Sequence, residues 1–418
     1  MSVWHIKGGN KLSGSVRVQG SKNAVLPVIA ASLLSSAETE LLNCPGLSDV
    51  AAAVDILRHL GCGAEREGDV LRIDSRCPTR CDIPRELMHR MRSSVIFLGP
   101  LLSRCGEAHI FVPGGCELGK RPIDLHLYAL RRLGAEVEQN GDEIVCRASG
   151  LRGAEIYLQL PSVGATENAM IAACAARGET VIYNAAREPE IETLQSYLRQ
   201  LGAEIFGAGT PVIRVTGFHP RSSAVLRIPA DRIAAATWLC CAACAGGEIE
   251  LRDAEKESMS LTLRALAEMG CSIHSAGTEL RIRVEQPLRS PGAIVTRPYP
   301  GFPTDAAPLL MAACLRAEGT AVFIENIFEN RYRHVPELRK LGAHIETRGS
   351  LALVRGVTKL YGTRTTSPDL RGGAAIVAAA LGAGGETLLY DSGHILRGYE
   401  DMDERLRALG ADVRVEEN

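Results

Sequence analysis

Residues 192–206, ETLQSYLRQLGAEIF, join an amphipathic run to a Leu-Gly-Ala-Glu phrase and a short apolar segment. Apolar side chains recur at helical spacing up to Leu201, and Gly202 is typical of the left-handed residue that ends a helix. The same phrase, with variation, begins at Leu60, Leu133, Leu201, Met269, Leu341 and Leu409. Successive copies are 68 to 73 residues apart, so the sequence predicts six copies of one structural unit.

A second phrase follows the same period, and in each copy a helical run passes through a turn into a short strand. Its variants are SAETEL (36–41), CGEAHI (105–110), RGETVI (177–182), GGEIEL (246–251), EGTAVF (318–323) and GGETLL (384–389). Two alternating strands close each unit, as in GDVLRI (68–73) and GDEIVC (141–146). We therefore predict an α/β protein built from six β-α-β-α-β-β units, three in each of two domains.

The length of 418 residues also favours two domains, because a single core rarely grows that large. We expect the boundary near Ile228–Pro229, midway between the third and fourth units. Residues 15–18 are predicted to be the first strand of the first unit. The dozen residues before them must then pack elsewhere, and they could complete the last domain.

The composition excludes several classes of partner. Charged residues make up 23% of the chain, with a net charge of −2, so there is no basic excess for nucleic acid. The first ten residues, MSVWHIKGGN, lack the apolar core of a secretory signal. The longest weakly polar run, IAAATWLCCAACA (233–245), is too short to span a bilayer. We predict a cytoplasmic protein without a nucleic-acid or membrane partner.

Most of the thirteen cysteines lie in Ala-rich helical runs, where a reduced thiol behaves as a small hydrophobe. A zinc site at Cys240, Cys241 and Cys244 is disfavoured, because no second ligand cluster follows at zinc-like spacing. No metal or other cofactor is predicted. Cys116 differs, since it lies in the Gly- and Pro-rich stretch VPGGCELGKRPIDLH (112–126) beside two cations. Neighbouring cations favour the thiolate, which makes such a cysteine reactive.

Polar residues open the first helix of each predicted unit. They are Ser21 to Asn23, Arg92 to Ser94, Ser162 to Thr166, Asp231 and Arg232, Thr304 and Asp305, and Asp369 to Arg371. Helix N-capping explains Ser21, Ser162, Thr304 and Asp369. It does not explain the cations, which oppose the helix dipole unless an anion binds there. We therefore expect an anion site, with simple capping as the alternative.

Several other polar residues carry weaker signals. Arg331 and Arg397 lie outside the predicted elements, and each alone is typical of a solvated surface. His126 and His334 lack carboxylates at ligand spacing, which favours core or capping roles for both. The chain contains no Walker A loop, dinucleotide fingerprint or zinc-protease helix.

Taken together, these motifs resemble the UDP-N-acetylglucosamine 1-carboxyvinyltransferases, a family of enolpyruvyl transferases in the EPSP synthase superfamily. The resemblance runs from end to end and is most specific at PGGCELGKRPIDLH (113–126). Its other motifs are GSKNAVLPVIAASLL (20–34), MRSSVIFLGPLL (91–102), SVGATENAMIAA (162–173), FPTDAAPLLMA (302–312), FENRYRHVPELRKLGAH (328–344), DLRGGAAIVAAAL (369–381) and RGYEDMDERLRALGA (397–411).

The resemblance implies two inside-out α/β barrel domains, with helices buried at each centre and sheets outside. Residues 21–229 would form the first domain, and 1–20 with 230–418 the second, with the active site in the cleft between them. The substrates would be phosphoenolpyruvate and UDP-N-acetylglucosamine, and the reaction would begin peptidoglycan precursor synthesis without a cofactor.

The resemblance also assigns roles to residues. Cys116 would protonate C3 of phosphoenolpyruvate and could carry a covalent adduct, while Asp305 would be the base at the sugar 3′-hydroxyl. Lys22, Arg121 and Arg397, with Asn23, would hold the phosphate and carboxylate. The nucleotide sugar would contact Asn23, Arg92, Arg121, Pro122, Ile123, Asp124, Leu125, Ser162, Val163, Gly164, Asp305 and Ile327. Arg331 and Arg371 would support the closed cleft.

Two departures and three alternatives accompany this interpretation. Leu160 and Pro161 replace a Lys-Val pair of some relatives, and Ile96 stands where some have tryptophan; both changes concern nucleotide affinity. A 3-phosphoshikimate 1-carboxyvinyltransferase is disfavoured by SKNAVLP (21–27) and by the loop cysteine. A non-catalytic nucleotide-sugar-binding paralogue should have lost the acid, the base or a phosphate cation. An RNA-end cyclase would need nucleoside triphosphate chemistry, for which no motif is present.

Overall fold

The computed structural model describes residues 1–114, 123–218, 223–285 and 287–417. These residues cluster into two compact units. One contains residues 1–19 and 230–417, and the other contains residues 20–114 and 123–229. Each unit has its own hydrophobic core.

The strands are short, and most alternate buried with exposed residues. In chain order they are β1 (Ser2–Lys7), β2 (Leu12–Arg17), β3 (Glu38–Leu42), β4 (Gly63–Glu67), β5 (Val70–Asp74), β6 (Glu107–Phe111), β7 (Glu136–Asn140), β8 (Glu143–Arg147), β9 (Glu155–Tyr157), β10 (Thr180–Tyr183), β11 (Ala203–Phe206), β12 (Val212–Phe218), β13 (Ala224–Arg227), β14 (Gly247–Arg252), β15 (Ser272–Ala276), β16 (Glu279–Val284), β17 (Ala293–Val295), β18 (Thr320–Ile324), β19 (His344–Arg348), β20 (Leu351–Arg355), β21 (Arg364–Thr366), β22 (Glu386–Asp391) and β23 (Asp412–Glu417).

The helices fall between the strands at regular intervals. They are α1 (Lys22–Ala31), α2 (Ser48–His59), α3 (Arg85–Arg90), α4 (Leu98–Cys105), α5 (Asp124–Arg132), α6 (Val163–Cys174), α7 (Pro189–Gln200), α8 (Arg232–Ala245), α9 (Ser260–Glu268), α10 (Ala307–Cys314), α11 (Val335–Lys340), α12 (Leu370–Leu381) and α13 (Met402–Ala408). Short 3-10 helices span Ser32–Leu34, Arg92–Phe97, Glu257–Met259, Arg331–His334 and Ile395–Arg397. The helix of the opening stretch ends as predicted, since Gly202 has a left-handed φ of 105°.

The predicted unit is confirmed by the sheets. In the sheet β9-β10-β12-β11, β10 follows the buried helix α6. It pairs in parallel with β9, the short strand before that helix, and antiparallel with β12, which forms a hairpin with β11. The orders β13-β3-β5-β4, β2-β14-β16-β15 and β17-β18-β20-β19 repeat this arrangement. In the sheet β6-β8-β7, the first strand is reduced to a bridge between Asp82 and His109.

One strand assignment is wrong. Residues 15–18 do not begin the first unit: β2 pairs in parallel with β14, with Val16 opposite Leu251. The first unit instead takes β13, where Leu226 lies opposite Leu41 of β3. Both strands are short and bury alternate residues, so their pattern indicates that they pair but not with which sheet.

β1 supplies the strand that the sixth unit lacks. It lies between β22 and β23 and is antiparallel to both, so Ile6 is opposite Thr387 on one side and Val413 on the other. Trp4 and Ile6 are buried in the core that also contains α12. The amino-terminal strands β1 and β2 are therefore integral parts of the unit formed by residues 230–417.

Helices fill the centre of each unit, and sheets lie outside them. α8, α10 and α12 contact one another, while in the other unit α4 packs on α6 and α1 on the turn Arg92–Phe97. These helices are apolar on every side, as expected for buried helices. Burial raises the pKa of Cys174 and of Cys241 to about 12, so these thiols remain protonated.

Within the part of the chain that the structure describes, no helix combines the length and apolar character needed to cross a bilayer.

Candidate active site

Lys22 is the first residue of α1. Ser21 caps this helix, with its hydroxyl accepting a hydrogen bond from the Ala24 N–H at 3.3 Å. The Lys22 Nζ lies 3.3 Å from Oδ2 of Asp49, a buried carboxylate in the first turn of α2. Asn23 follows in the same turn of α1 and is half-buried. The start of α1 thus holds an ammonium group in a defined position.

Arg92 and residues 162–164 lie at the other helix starts of the same unit. Arg92 opens the 3-10 helix Arg92–Phe97, and its Nη1 donates to the Pro113 carbonyl at 3.0 Å. Ser162 caps α6, with its hydroxyl 3.4 Å from the Ala165 nitrogen. Both positions therefore present polar groups at the end of a buried helix.

Ile123, Asp124 and Leu125, which the family resemblance assigns to the nucleotide sugar, lie at the start of α5. Ile123 is buried just before the helix, Asp124 is its exposed first residue, and Leu125 is half-buried. Cys116, Arg121 and Pro122 lie outside the described residues.

Asp305 forms a cluster with two arginines in the other unit. Its Oδ1 is 2.8 Å from Arg331 Nη2, and its Oδ2 is 3.5 Å from Arg371 Nε. The side chains of Arg331 and Arg371 are 1% and 2% exposed, whereas that of Asp305 is 29% exposed. The carboxylate is therefore the part of this cluster that remains open to a ligand.

The peptide before Asp305 is held from two sides. Arg331 donates from Nε and Nη2 to the Thr304 carbonyl at 3.0 and 2.8 Å. The Thr304 hydroxyl donates to Oε2 of buried Glu325 at 2.9 Å. Glu325 Oε1 also accepts the N–H groups of Ile327 and Phe328, at 2.7 and 3.0 Å. One carboxylate thus connects Asp305 to the loop of Ile327, whose side chain is exposed.

This arrangement corrects one capping prediction. Asp231 and Asp369 accept the N–H groups of the first turns of α8 and α12, as expected. Thr304 does not cap α10, which begins at Ala307 after a turn. Its hydroxyl is engaged by Glu325, a residue that lies about twenty positions later and that no local pattern links to it.

Arg371 is almost completely buried, next to Asp305 and Tyr399. Its guanidinium lies 5.3 Å from the centre of the Tyr399 ring. Among the described residues, its three side-chain nitrogens have no hydrogen-bond acceptor of good geometry. The Asp305 carboxylate, 3.5 Å from Nε, and the Tyr399 ring are thus the groups that stabilise this buried charge.

Arg397 ends the 3-10 helix Ile395–Arg397 and is half-buried. The loop before it is fixed by buried Asp391, whose carboxylate accepts the N–H groups of Gly393, His394 and Ile395 at 3.1 to 3.3 Å. The local backbone therefore constrains where this guanidinium can reach.

Sequence comparison places these features in a known family. The family model described as EPSP synthase (3-phosphoshikimate 1-carboxyvinyltransferase) matches residues 6–406. The chain belongs to the EPSP synthase family.

Similar proteins within the EPSP synthase family carry a more specific name. The chain is 44% identical to UDP-N-acetylglucosamine 1-carboxyvinyltransferase 2 of Caldanaerobacter subterraneus subsp. tengcongensis, over 99% of both chains. It is also 44% identical to UDP-N-acetylglucosamine 1-carboxyvinyltransferase 1 of Symbiobacterium thermophilum, over 98% of this chain and 94% of the relative. The resemblance predicted from the sequence is confirmed.

Solved structures of the EPSP synthase family share the fold. The enolpyruvyl transferase NikO from Streptomyces tendae superposes with a TM-score of 0.90 at 26% identity, covering 99% of this chain and 98% of NikO. An EPSP synthase from Acinetobacter baumannii superposes with a TM-score of 0.75 at 19% identity over both full chains, a likeness of fold alone. The predicted pair of inside-out α/β domains is confirmed by these neighbours.

Three residues of this EPSP synthase family member escaped the sequence prediction. Asp49 contacts Lys22, Glu325 supports Asp305, and Asn168 contacts His126. Asp49 could have been noticed in the sequence, because an acidic residue in the first turn of a helix suits the helix dipole. That preference does not explain why Asp49 is buried. Glu325 and Asn168 sit in an apolar strand end and an apolar helix, where only tertiary contacts reveal their roles. Within the described ranges, no group of three or more His, Cys, Asp or Glu side chains could hold a metal ion.

Proposed function

We propose that this protein transfers the enolpyruvyl group of phosphoenolpyruvate to the 3′-hydroxyl of UDP-N-acetylglucosamine, with release of phosphate. This would be the first committed step of peptidoglycan precursor synthesis. The observation that carries the proposal is 44% identity, over 99% of both chains, with a relative named for this transfer. The ion-paired cluster of Asp305, Arg331 and Arg371 supports it, because such chemistry needs a base beside cations.

The reaction proceeds by addition and elimination. The 3′-oxygen adds to C2 of phosphoenolpyruvate while C3 gains a proton, which forms a tetrahedral intermediate. C3 then returns a proton, the C2–O bond to phosphate breaks, and the enol ether product remains. The steps need an acid at C3, a base at the hydroxyl and cations that stabilise the anionic groups, and they need no metal or redox cofactor.

Asp305 is the proposed base. Two buried arginines stabilise its ionised form, and its own partial exposure leaves it able to meet a hydroxyl. Arg331 also holds the Thr304 carbonyl, so the carboxylate has a fixed direction. The ionised carboxylate can accept the hydroxyl proton, and its fixed direction favours that transfer.

The remaining roles follow the family resemblance. Cys116 is the proposed acid and the site of covalent modification. Lys22, Asn23, Arg121 and Arg397 are proposed to bind phosphoenolpyruvate. Arg92, residues 121–125, residues 162–164 and Ile327 are proposed to bind the nucleotide sugar, with Arg331 and Arg371 in support.

Phosphate release tests the proposal. We expect release from phosphoenolpyruvate that depends on UDP-N-acetylglucosamine and not on shikimate 3-phosphate. Asp305→Asn should lower kcat by about 10²- to 10⁴-fold, the usual contribution of a general base. Cys116→Ser should also lose activity, because a hydroxyl is a weaker acid. Release that requires shikimate 3-phosphate, or no acceptor-dependent release at all, would refute the assignment.

Fosfomycin, an epoxide that carries a phosphonate, provides a second test at the loop cysteine. A thiolate near cations should open the epoxide, so we expect inactivation and a single mass increase on Cys116. Cys77 and Cys105 are exposed and serve as internal controls for accessibility alone. Modification of either control, with Cys116 unmodified, would contradict the assigned reactivity.

A further inference from the structure

Gln19 lies just after β2 and is buried in the unit that contains residues 1–19 and 230–417, where it is 4% exposed. Its main-chain carbonyl accepts the Asp231 N–H at 2.8 Å. Its side chain reaches the loop that follows the 3-10 helix Ile395–Arg397. Nε2 donates to the Gly398 carbonyl at 3.0 Å, and Oε1 accepts the Glu400 N–H at 2.9 Å. These two partners lie 379 and 381 residues later in the chain.

The two partners also fix the direction of the Gln19 amide. A backbone carbonyl only accepts and a backbone N–H only donates, so the atom at Gly398 is the amide nitrogen and the atom at Glu400 is the oxygen. The amide therefore pairs with the loop on both sides of Tyr399, much as a residue of a neighbouring strand would. Because Gly398 is buried, loss of the amide would leave its carbonyl without a donor.

Arg397 lies between this contact and a separate one on its amino-terminal side. Before Arg397, the Asp391 carboxylate holds the N–H groups of residues 393–395. After it, Gly398 packs closely on α12, since a Cβ built there would lie 2.7 Å from the Leu370 Cδ1. Gln19 is thus the side chain that fixes the loop on the carboxyl-terminal side of Arg397.

Arg405 joins the same two segments nearer the surface. Its Nη1 donates to the Arg17 carbonyl at 2.8 Å, and its Nη2 donates to the Glu400 Oε2 at 2.9 Å. The side chains of Arg405 and Glu400 are 23% and 24% exposed, so water screens this ion pair. The hydrogen bonds of Gln19 are the buried part of the connection.

The same loop carries a second group of the candidate site. The Tyr399 ring lies 5.3 Å from the Arg371 guanidinium, and its hydroxyl is 2.9 Å from Oγ1 of Thr237. Since the peptide groups on both sides of Tyr399 are bonded to Gln19, the direction of this ring depends on the amide as well.

We propose that Gln19 is a positioning residue for Arg397, acting through the backbone of residues 398–400 on the binding of phosphoenolpyruvate. The inference rests on the proposed function, which supplies phosphoenolpyruvate as a substrate and assigns Arg397 to it. Gln19 itself contacts the loop and not the substrate. Its removal should therefore change the affinity for one substrate rather than remove the reaction.

Steady-state kinetics of Gln19→Met test the positioning role, because methionine keeps the length of the side chain and lacks the amide. The KM for phosphoenolpyruvate should rise about tenfold, as for a weakened hydrogen bond to a charged group, while that for UDP-N-acetylglucosamine stays within about twofold. Val18→Ala is the matched control, since Val18 is a neighbouring core residue. It should lower thermal stability without raising either KM. An equal rise in Val18→Ala would overturn the inference.

Amide hydrogen exchange tests the loop contact without any assay of activity. In Gln19→Met the Glu400 amide should exchange faster, because its acceptor has been removed. The amides of residues 393–395, which are held by Asp391, should keep their wild-type rates. An unchanged rate at Glu400, or an equal increase at residues 393–395, would contradict the inferred role of Gln19.

The outcomes separate this inference from the proposed function. If the wild type releases no acceptor-dependent phosphate, the proposed function fails. If the wild type turns over and Gln19→Met keeps both KM values, the inference is wrong and the function stands. If Gln19→Met does not fold, Gln19→Glu decides the question. It keeps the acceptor for Glu400 but turns a carboxylate oxygen towards the Gly398 carbonyl, so the KM for phosphoenolpyruvate should again rise, and a wild-type value would overturn the inference.

Discussion

Glu167 places a carboxyl group inside the core, on the second turn of α6. Burial raises the pKa of this group well above its usual value, and the charges of Glu190 and Glu188 raise it further. The folded protein therefore binds the proton more tightly than the unfolded chain does. Its contribution to stability is complete below about pH 4.5 and is lost as the pH rises through the raised folded pKa.

Replacement of the Glu167 carboxyl group by an amide should remove this loss of stability at high pH. We expect Glu167→Gln to match the wild type in unfolding free energy near pH 4.5. At pH 8 it should exceed the wild type, because the amide has no proton to lose and adds no buried charge. Denaturant unfolding at both values of pH measures the difference. Glu192→Gln, at an exposed position in α7, should show no such trend; an equal trend there would refute the explanation.

Individual residues also show which candidate site residues can be singled out from the sequence. Lys22, Arg92 and Arg371 could be predicted because cations at helix starts conflict with the helix dipole. The contacts of His126 could not, since an isolated histidine in an amphipathic helix carries no local signal of its partners. Its ring contacts Asn168, about forty residues later in the chain, and Asn168 in turn accepts the Gly99 N–H.

At the level of elements, the turn before α10 depends on Glu325 at the end of β18. The Thr304 hydroxyl and the Ile327 and Phe328 N–H groups all donate to this buried carboxylate. The position of Asp305 is therefore coupled to the loop that follows the strand. Helix-start patterns drew attention to this turn but assigned Thr304 to the wrong hydrogen bond.

Removal of the Thr304 hydroxyl should uncouple the turn before α10 from the loop after β18. Thr304→Val keeps the side-chain shape but leaves a buried carboxylate oxygen without its donor, at a cost of about 1–3 kcal/mol in unfolding free energy. If Asp305 is the base, kcat should also fall about tenfold, because the carboxylate loses its alignment. Thr304→Ser retains the donor and should restore both quantities. Steady-state kinetics and thermal unfolding measure them, and an unchanged kcat in Thr304→Val would exclude the positioning role.

At the scale of the whole molecule, two strands lie in sheets other than those expected for six consecutive units. β2 pairs with β14, and β13 pairs with β3. Six units and two domains follow from the period and from chain length. The partners of β2 and β13 do not, because parallel pairing between strands 235 and 185 residues apart leaves no mark on the local alternation of either strand. The pairing of such distant strands is determined only when the hydrophobic cores of both units assemble.

The position of β1 yields a prediction for the whole chain. Ile6 is fully buried between β22 and β23, whereas the next residue, Lys7, is exposed. Ile6→Asp should speed amide hydrogen exchange in β22, β23 and α12 while residues 20–114 and 123–218 retain wild-type protection. Lys7→Asp is the matched control and should change little. Mass spectrometry of exchanged peptides measures both, and uniform loss of protection in Ile6→Asp would argue against this distribution of stability.

The same pairing sets an order of events during synthesis on the ribosome. β1 emerges long before its partners β22 and β23, which follow roughly four hundred residues later. At about 5–20 residues per second, roughly 20–80 s pass before those partners appear. Residues 20–229 complete their own sheets earlier, once β13 is available for β3. The nascent β1 must therefore stay soluble and unpaired while most of these residues are translated, whereas β2 waits only until β14 appears.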